Sequence, residues 1–261
     1  MELGTTYPLY GVTTATTVYS KLYSTFSVNG NTLLSEERTP GGSNVSYREP
    51  DLLIGTGDSY DVDSEYYNML LGGSGTANGL ASAFLQDYRE MLTSVGKYGG
   101  FYIGRYELTG SVTSPTEKSG KVLVGQNWYN LYNACRNVVS TEEVQSTMIW
   151  GCQWDATCSW LEQNGYSTSD SSSWGNYSNS ERFTIDNTNV KYTIDGITWY
   201  SIEKGDKKPA ADFSILTTGA SKYTKANNIY DFAGNNLEWT QEAYKLRYRS
   251  VRGGGYYGTR L

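Results

Sequence analysis

From residue 167 to about 226 the chain is a long run of Ser, Asn, Gly, Asp and Thr in which no apolar periodicity survives. Such a stretch cannot supply an amphipathic helix, because a buried helical stripe needs apolar residues at spacings of three and four. It reads as turns and loops with isolated Trp174 and Trp199 and two short strands, 191–194 and 197–200. With 261 residues and 38% hydrophobic content, the chain can bury a substantial core. Only 18% of residues are charged, and 24 tyrosines and 29 glycines take much of the surface that Lys and Glu usually fill. The fold class expected is α+β with long irregular loops, and so much irregular chain in a compact domain marks loops that carry function.

Regular elements are predicted on both sides of the polar stretch. Residues 1–50 are rich in Thr, Ser, Val and Tyr, with short strands at 16–19 and 25–28 and turns at Asn29-Gly30 and Pro40-Gly41-Gly42. They read as a β-rich or extended N-terminal segment, an assembly arm or a connector. The loop at 51–63 carries Asp58, Asp61 and Asp63 but lacks the order of an EF-hand, so it reads as solvated loop. Leu80, Phe84, Tyr88, Met91, Leu92 and Val95 share one face of a predicted helix over 79–95 that stops at Gly96. A strand is expected over 99–108. Further helices are expected over 127–139, with Trp128, Leu131, Cys135, Val138 and Val139 inward, and from near Gln153 to Gly165, with Trp154, Cys158 and Leu161 inward. Asp195-Gly196 between 191–194 and 197–200 is a hairpin signal. Residues 229–240 read as a buried turn, and 251–256 as a Gly-rich strand or bulge where backbones approach closely.

Function is narrowed first by the absence of histidine. No Ser-His-Asp or Cys-His nucleophile, His-ligated zinc or facial-triad iron can be assembled from such a chain. Acid–base work would fall to carboxylates, Lys or Tyr. The three cysteines, Cys135, Cys152 and Cys158, are an odd number and read as small buried apolar residues. If Cys152 and Cys158 share a helix they stand roughly 9 Å apart along its axis, too far to bridge. The formal net charge of −6 argues against a nucleic-acid partner, which needs a basic stripe. No run approaches the roughly 18 apolar residues of a membrane span. The N-terminal residues lack the pattern of a secretory signal, so the chain either does not use that route or has a leader outside this sequence.

Six segments, "GGFYIGRYE", "STMIWGCQWDA", "SSSWGNY", "ILTTGAS", "NIYDFAGNNLEWT" and "RGGGY", occur in an order that resembles the formylglycine-generating-enzyme (sulfatase-modifying factor) superfamily. The resemblance covers about 98–255, and 51–97 is similar to the helical lead-in of bacterial and prophage members. It implies a C-type lectin-like domain over 51–261. Family members continue past the "RGGS" that "RGGG" is similar to, closing with a strand that ends in "GFR". The domain is therefore expected to be incomplete at its C-terminus, or closed by a shortened strand "YYGTRL", with 101–107 left as an open edge if that strand is missing. The family's copper-binding cysteine pair follows "RGGS", whereas here 256–261 hold no cysteine, and its iron-dependent relatives need histidine ligands. No catalytic residues are expected.

The same fold resembles the variable proteins of diversity-generating retroelements, which include phage receptor-binding and bacterial surface proteins. That likeness implies a non-catalytic ligand-binding protein of a phage or prophage tail (a virion component) or of the bacterial cell surface. Its implied ligand-binding face is Tyr244, Arg247, Tyr248, Arg252, Tyr256, Tyr257, Thr259 and Arg260, mixing the residue types favoured at binding hot spots; the alternative is that half of these face inward as core. The partners implied are a host-surface protein or glycan, and further copies of the chain or other virion or surface subunits. The resemblance also implies calcium at Asn235 and Glu238, hard oxygen ligands suited to that ion. Against this stands a reading in which Asn235 satisfies backbone in a tight turn and Glu238 pairs with an arginine. Two other functions stay open at this level: an oxidase whose cysteines lie beyond Leu261, and a structural virion subunit.

Overall fold

The computed structural model of the chain describes residues 87, 90, 91, 93–141, 143–209, 214–245 and 248–257, with backbone only at 129, 242–245 and 248–250. The expected N-terminal strands, the 51–63 loop and the start of the 79–95 helix lie outside these residues. What is described is a mixed α+β fold with few helices and small antiparallel sheets. It forms two compact units, one from Ile103–Met148, Thr157–Trp239 and 251–257, the other from Ile149–Ala156, Thr240–Ser250 and the described residues up to Tyr102. No helix among the described residues is long and apolar enough to cross a membrane.

The first helical stretch buries Met91 and Val95 as expected but runs through Gly96 to residue 98. Its stop is Gly99, whose N–H donates to the Val95 carbonyl at 2.9 Å with φ at 78°. A glycine inside a helix costs only about 1 kcal/mol, whereas a helix end in the left-handed conformation favours one. The strand expected over 99–108 is not formed, and neither is the open edge expected at 101–107. Phe101 and Ile103 are half-buried around an exposed Tyr102, so the alternation is real. The backbone, however, bonds piecemeal: the Arg105 carbonyl accepts from Tyr230 N–H at 2.9 Å, and Glu107 N–H donates to Thr218 Oγ1 at 3.3 Å. Pairing begins only at β1 (Thr109–Ser111) with β2 (Ser114–Thr116).

Helix α1 (Trp128–Arg136) starts where Asn127 Oδ1 accepts from Asn130 N–H at 2.9 Å, a side-chain N-cap. It is shorter than expected, so Val138 and Val139 fall beyond it and Val139 is exposed. Tyr132 and Ala134 are buried instead, beside Trp128, on which the Tyr132 ring stacks. Helix α2 (Gly151–Gln163) lies within two residues of the expected bounds, with Trp154 and Leu161 buried but Cys158 only half-buried. It ends where Tyr166 N–H reaches back to the Leu161 carbonyl at 3.0 Å. Cys152 and Cys158 both lie on α2, and all three cysteines are free thiols.

The polar stretch is organised by β3 (Lys191–Thr193), β4 (Tyr200–Ser201) and β5 (Ile215–Leu216), in the order β4-β3-β5. Tyr192 stands opposite Tyr200 on one side and Leu216 on the other. The hairpin is looser than predicted because Asp195 captures its own backbone. Its Oδ1 accepts from Ile197 N–H, Thr198 N–H and Thr193 Oγ1 at 2.8, 2.7 and 2.9 Å. This widens the connection and leaves Ile194 and Ile197 exposed. A small core of Phe183, Ile185, Val190, Leu216 and Ala220 lies within the stretch. Beyond it come β6 (Lys225–Ala226) paired with β7 (Ile229–Tyr230), then β8 (Glu238–Lys245) beside β9 (Tyr248–Arg252).

Ile185 is fully buried in that core, whereas Ile197 is 84% exposed. Ile185→Ala is expected to cost about 2–5 kcal/mol in denaturant unfolding, and Ile197→Ala less than about 0.5 kcal/mol.

Candidate functional site

The segment joining β7 to β8 is the buried turn expected there, and Asp231, Phe232, Ala233, Gly234 and Asn235 are all enclosed. Gly234 and Asn235 both adopt left-handed backbone, with φ of 79° and 59°. This bends the chain so that the Asn235 side chain enters the interior. Its carboxamide is used to full valence. Oδ1 accepts from Leu216 N–H and from Asn176 Nδ2, both at 2.8 Å. Nδ2 donates to the Leu216 carbonyl at 3.1 Å and to Glu107 Oε2 at 2.6 Å. One side chain thus meets both backbone groups of Leu216 in β5, much as a neighbouring strand would. The Asn235 backbone is held as well, its N–H by the Asn176 carbonyl at 2.8 Å and its carbonyl by Tyr256 N–H at 3.0 Å.

Three carboxyl groups share this interior. Asp231 Oδ2 accepts from Thr218 Oγ1 at 2.9 Å and Gly219 N–H at 2.8 Å. Glu107 keeps one bonded oxygen, while its Oε1 and the Oε2 of Glu238 are buried with no hydrogen-bond partner. Burial pushes all three acids above the ordinary carboxylate range. The negative charge of Asp231 adds to the rise at Glu107 and Glu238, and that of Glu238 adds to the rise at Glu107. Around Glu238 the packing is tight: a Cβ on Gly253 would come within 2.5 Å of its Oε2 and 3.3 Å of the Phe232 carbonyl. Gly253 also has φ of 84°, and its carbonyl accepts from Gly234 N–H at 2.7 Å. This is the close backbone approach expected at 251–256.

The residues of the expected binding face fall in three groups. Tyr244 lies on β8 and Tyr248 on β9, described by backbone alone. Arg247, Thr259 and Arg260 lie outside the described residues. Arg252 ends β9 half-buried, Tyr256 is half-buried, and Tyr257 is 52% exposed, with the two tyrosine rings edge-to-face at 5.1 Å. The turn therefore fixes the backbone below Tyr256 and leaves Tyr257 in water. Glu107, Asn176, Thr218 and Asp231 were not singled out individually in the sequence, although each lies within a motif quoted for the resemblance. Cys135 is half-buried on α1, and desolvation pushes its thiol up to about 12, so it stays protonated and unreactive at neutral pH.

Asn235 and Glu238 are used differently from a pair of calcium ligands. Both lone pairs of Asn235 Oδ1 are taken by N–H donors, and among the described residues no three acidic or cysteine side chains form a group able to hold a metal ion. As bonded, Asn235 Oδ1 has no lone pair left to offer a calcium ion.

Each raised carboxyl stabilises the folded unit while it carries its proton. That contribution is complete below the unfolded-chain value of about 4 and is lost as pH rises through the folded values. Stability is thus expected to fall toward alkaline pH, and Glu238→Gln, which stays neutral, to flatten that slope in unfolding measured across pH. Gly253→Ala is expected to cost about 1–3 kcal/mol or more, from backbone strain and collision with Glu238. Comparison with protein families, with curated proteins and with solved structures finds no match.

Proposed function

We propose that this chain is a non-catalytic ligand-binding protein built on a C-type lectin-like scaffold, a tail component of a phage or prophage or a surface adhesin of a bacterium. Its partner on this reading is a host-surface protein or glycan, engaged by the tyrosines and arginines of the C-terminal strand and the residues after it. The observation that carries the reading is the fixing of Tyr256 by the Asn235 turn while Tyr257 faces solvent. A tyrosine on a rigid backbone offers large amphipathic area at little entropic cost on binding. Two further features support it. Glu107 and Asp231 are enclosed and hydrogen-bonded as structure, the Glu238 Oε2 is buried beside Gly253, and the Cys135 thiol is held far from its reactive form. Five of the motifs behind the resemblance, those holding Glu107, Asn176, Leu216, Asn235 and Gly253, also meet around one turn.

The test is binding of the fluorescently labelled full chain to intact bacterial cells, untreated or stripped with protease or periodate. Saturable binding is expected, lost with one of the two treatments according to whether the receptor is protein or glycan. Tyr257→Ala is expected to weaken it about tenfold, the loss of a hot-spot residue, with the unfolding midpoint unchanged. Metal-dependent oxidation of a thiol substrate by the purified chain, or binding indifferent to Tyr257, would overturn the reading.

A further inference from the structure

Buried oxygens without donors ordinarily call for a cation, and this interior has three: Glu107 Oε1, Asn176 Oδ1 and Glu238 Oε2. Calcium would satisfy them only by collecting about six to eight oxygens at roughly 2.3–2.6 Å. The chemistry around Asn235 runs the other way. At the point where a cation would meet the Glu107 carboxyl stands the Nδ2 donor of Asn235, 2.6 Å from Oε2. The side-chain oxygen that Asn235 would offer a cation, Oδ1, is held by two donors at 2.8 Å. For a cation to bind there, Leu216 N–H and Asn176 Nδ2 would both have to give up a bond inside a closed interior, leaving buried donors unpaired.

We propose that the Asn235 carboxamide takes the place of a calcium ion at this turn, its two N–H bonds meeting the Glu107 carboxyl and the Leu216 carbonyl where a hard cation would otherwise gather them. The turn is then a calcium-free device that closes around an amide. The inference does not rest on the binding function and stands or falls apart from it.

Thermal unfolding of the full chain in millimolar calcium chloride and in EGTA tests it. A site filled at a hundred times its Kd raises the midpoint of a chain this size by about 5–10 °C. The expected shift is under about 1 °C. Because calcium could act elsewhere on the chain, Asn235→Ala and Glu238→Gln are run in parallel. No calcium-induced rise, or a rise that both variants keep, supports the proposal, and a rise that either variant abolishes overturns it. A second leg uses Asn235→Asp in EGTA, which removes the amide donors and sets another acid against Glu107. A lowered midpoint is expected, and an unchanged or raised one overturns the role given to the carboxamide.

Discussion

The described unit that holds most of the chain depends on one fully satisfied carboxamide. Asn235 ties together residues 107, 176, 216 and 235, which come from four separate stretches of irregular or barely regular backbone. A helix or a wide sheet satisfies its backbone by repetition, but a loop has to find a partner for each buried group individually. A side chain with two donors and two acceptor positions can do for β5 what a further strand would do. The arrangement is unforgiving, since in a low-dielectric interior a complete polar network holds firmly and a broken one leaves several groups unpaired at once.

The same economy recurs through the polar stretch and explains why so weakly charged a chain needs so many Asn, Asp, Ser and Thr residues. Asp186 Oδ2 accepts from Lys222 N–H at 2.7 Å and from Ser221 Oγ at 3.1 Å, pinning the 3-10 turn at Lys222–Thr224. Ser221 Oγ also donates to the Thr184 carbonyl at 2.7 Å. Asp195 holds its own loop through three donors, which lower its carboxyl to about 2. Aromatic rings fill the gaps between these polar ties. Tyr106 stacks on Tyr230 at 5.2 Å with the Arg105 guanidinium within 5.7 Å of both rings, and Phe183 stacks on Tyr223 at 4.6 Å. Side-chain-to-backbone bonds compete with regular structure wherever such residues crowd together, and here they have replaced much of it.

That substitution sets what could be read from the sequence. Apolar periodicity located α2 to within a few residues and placed Met91 and Val95 in a core, because those elements obey it. It misplaced the strand over 99–108, where alternation is real but the hydrogen bonds go to Glu117, Thr218 and Tyr230 instead of a partner strand. It carried α1 too far, since Val138 and Val139 continue the spacing after Asn137 has ended the helix. The Asp195-Gly196 turn was legible and its width was not, because the Asp side chain that widens it acts through space. For the interior cluster, Glu107, Asn176 and Asp231 were written in recognisable motifs, yet their meeting around Asn235 depends on contacts up to 128 positions apart in the chain. No local pattern encodes such a pairing.

A polar interior tied together by side-chain amides and hydroxyls also suits the work proposed for the surface. Affinity lost to ordering a loop on binding is recovered only if the loop is ordered beforehand. The chain after β9 receives that order from below: Gly253 bonds to Gly234, and Tyr256 bonds to Asn235. The backbone is committed at these points while the exposed Tyr257 ring is not. A hydrophobic core of the same size would hold the frame equally firmly, but it would tie the frame to large apolar residues whose replacement leaves cavities. Here the frame is made by groups that bond to main chain, so the exposed Tyr257 side chain can change without disturbing it. A scaffold held by backbone-directed amides and hydroxyls therefore suits the tyrosine-bearing binding edge proposed for this chain.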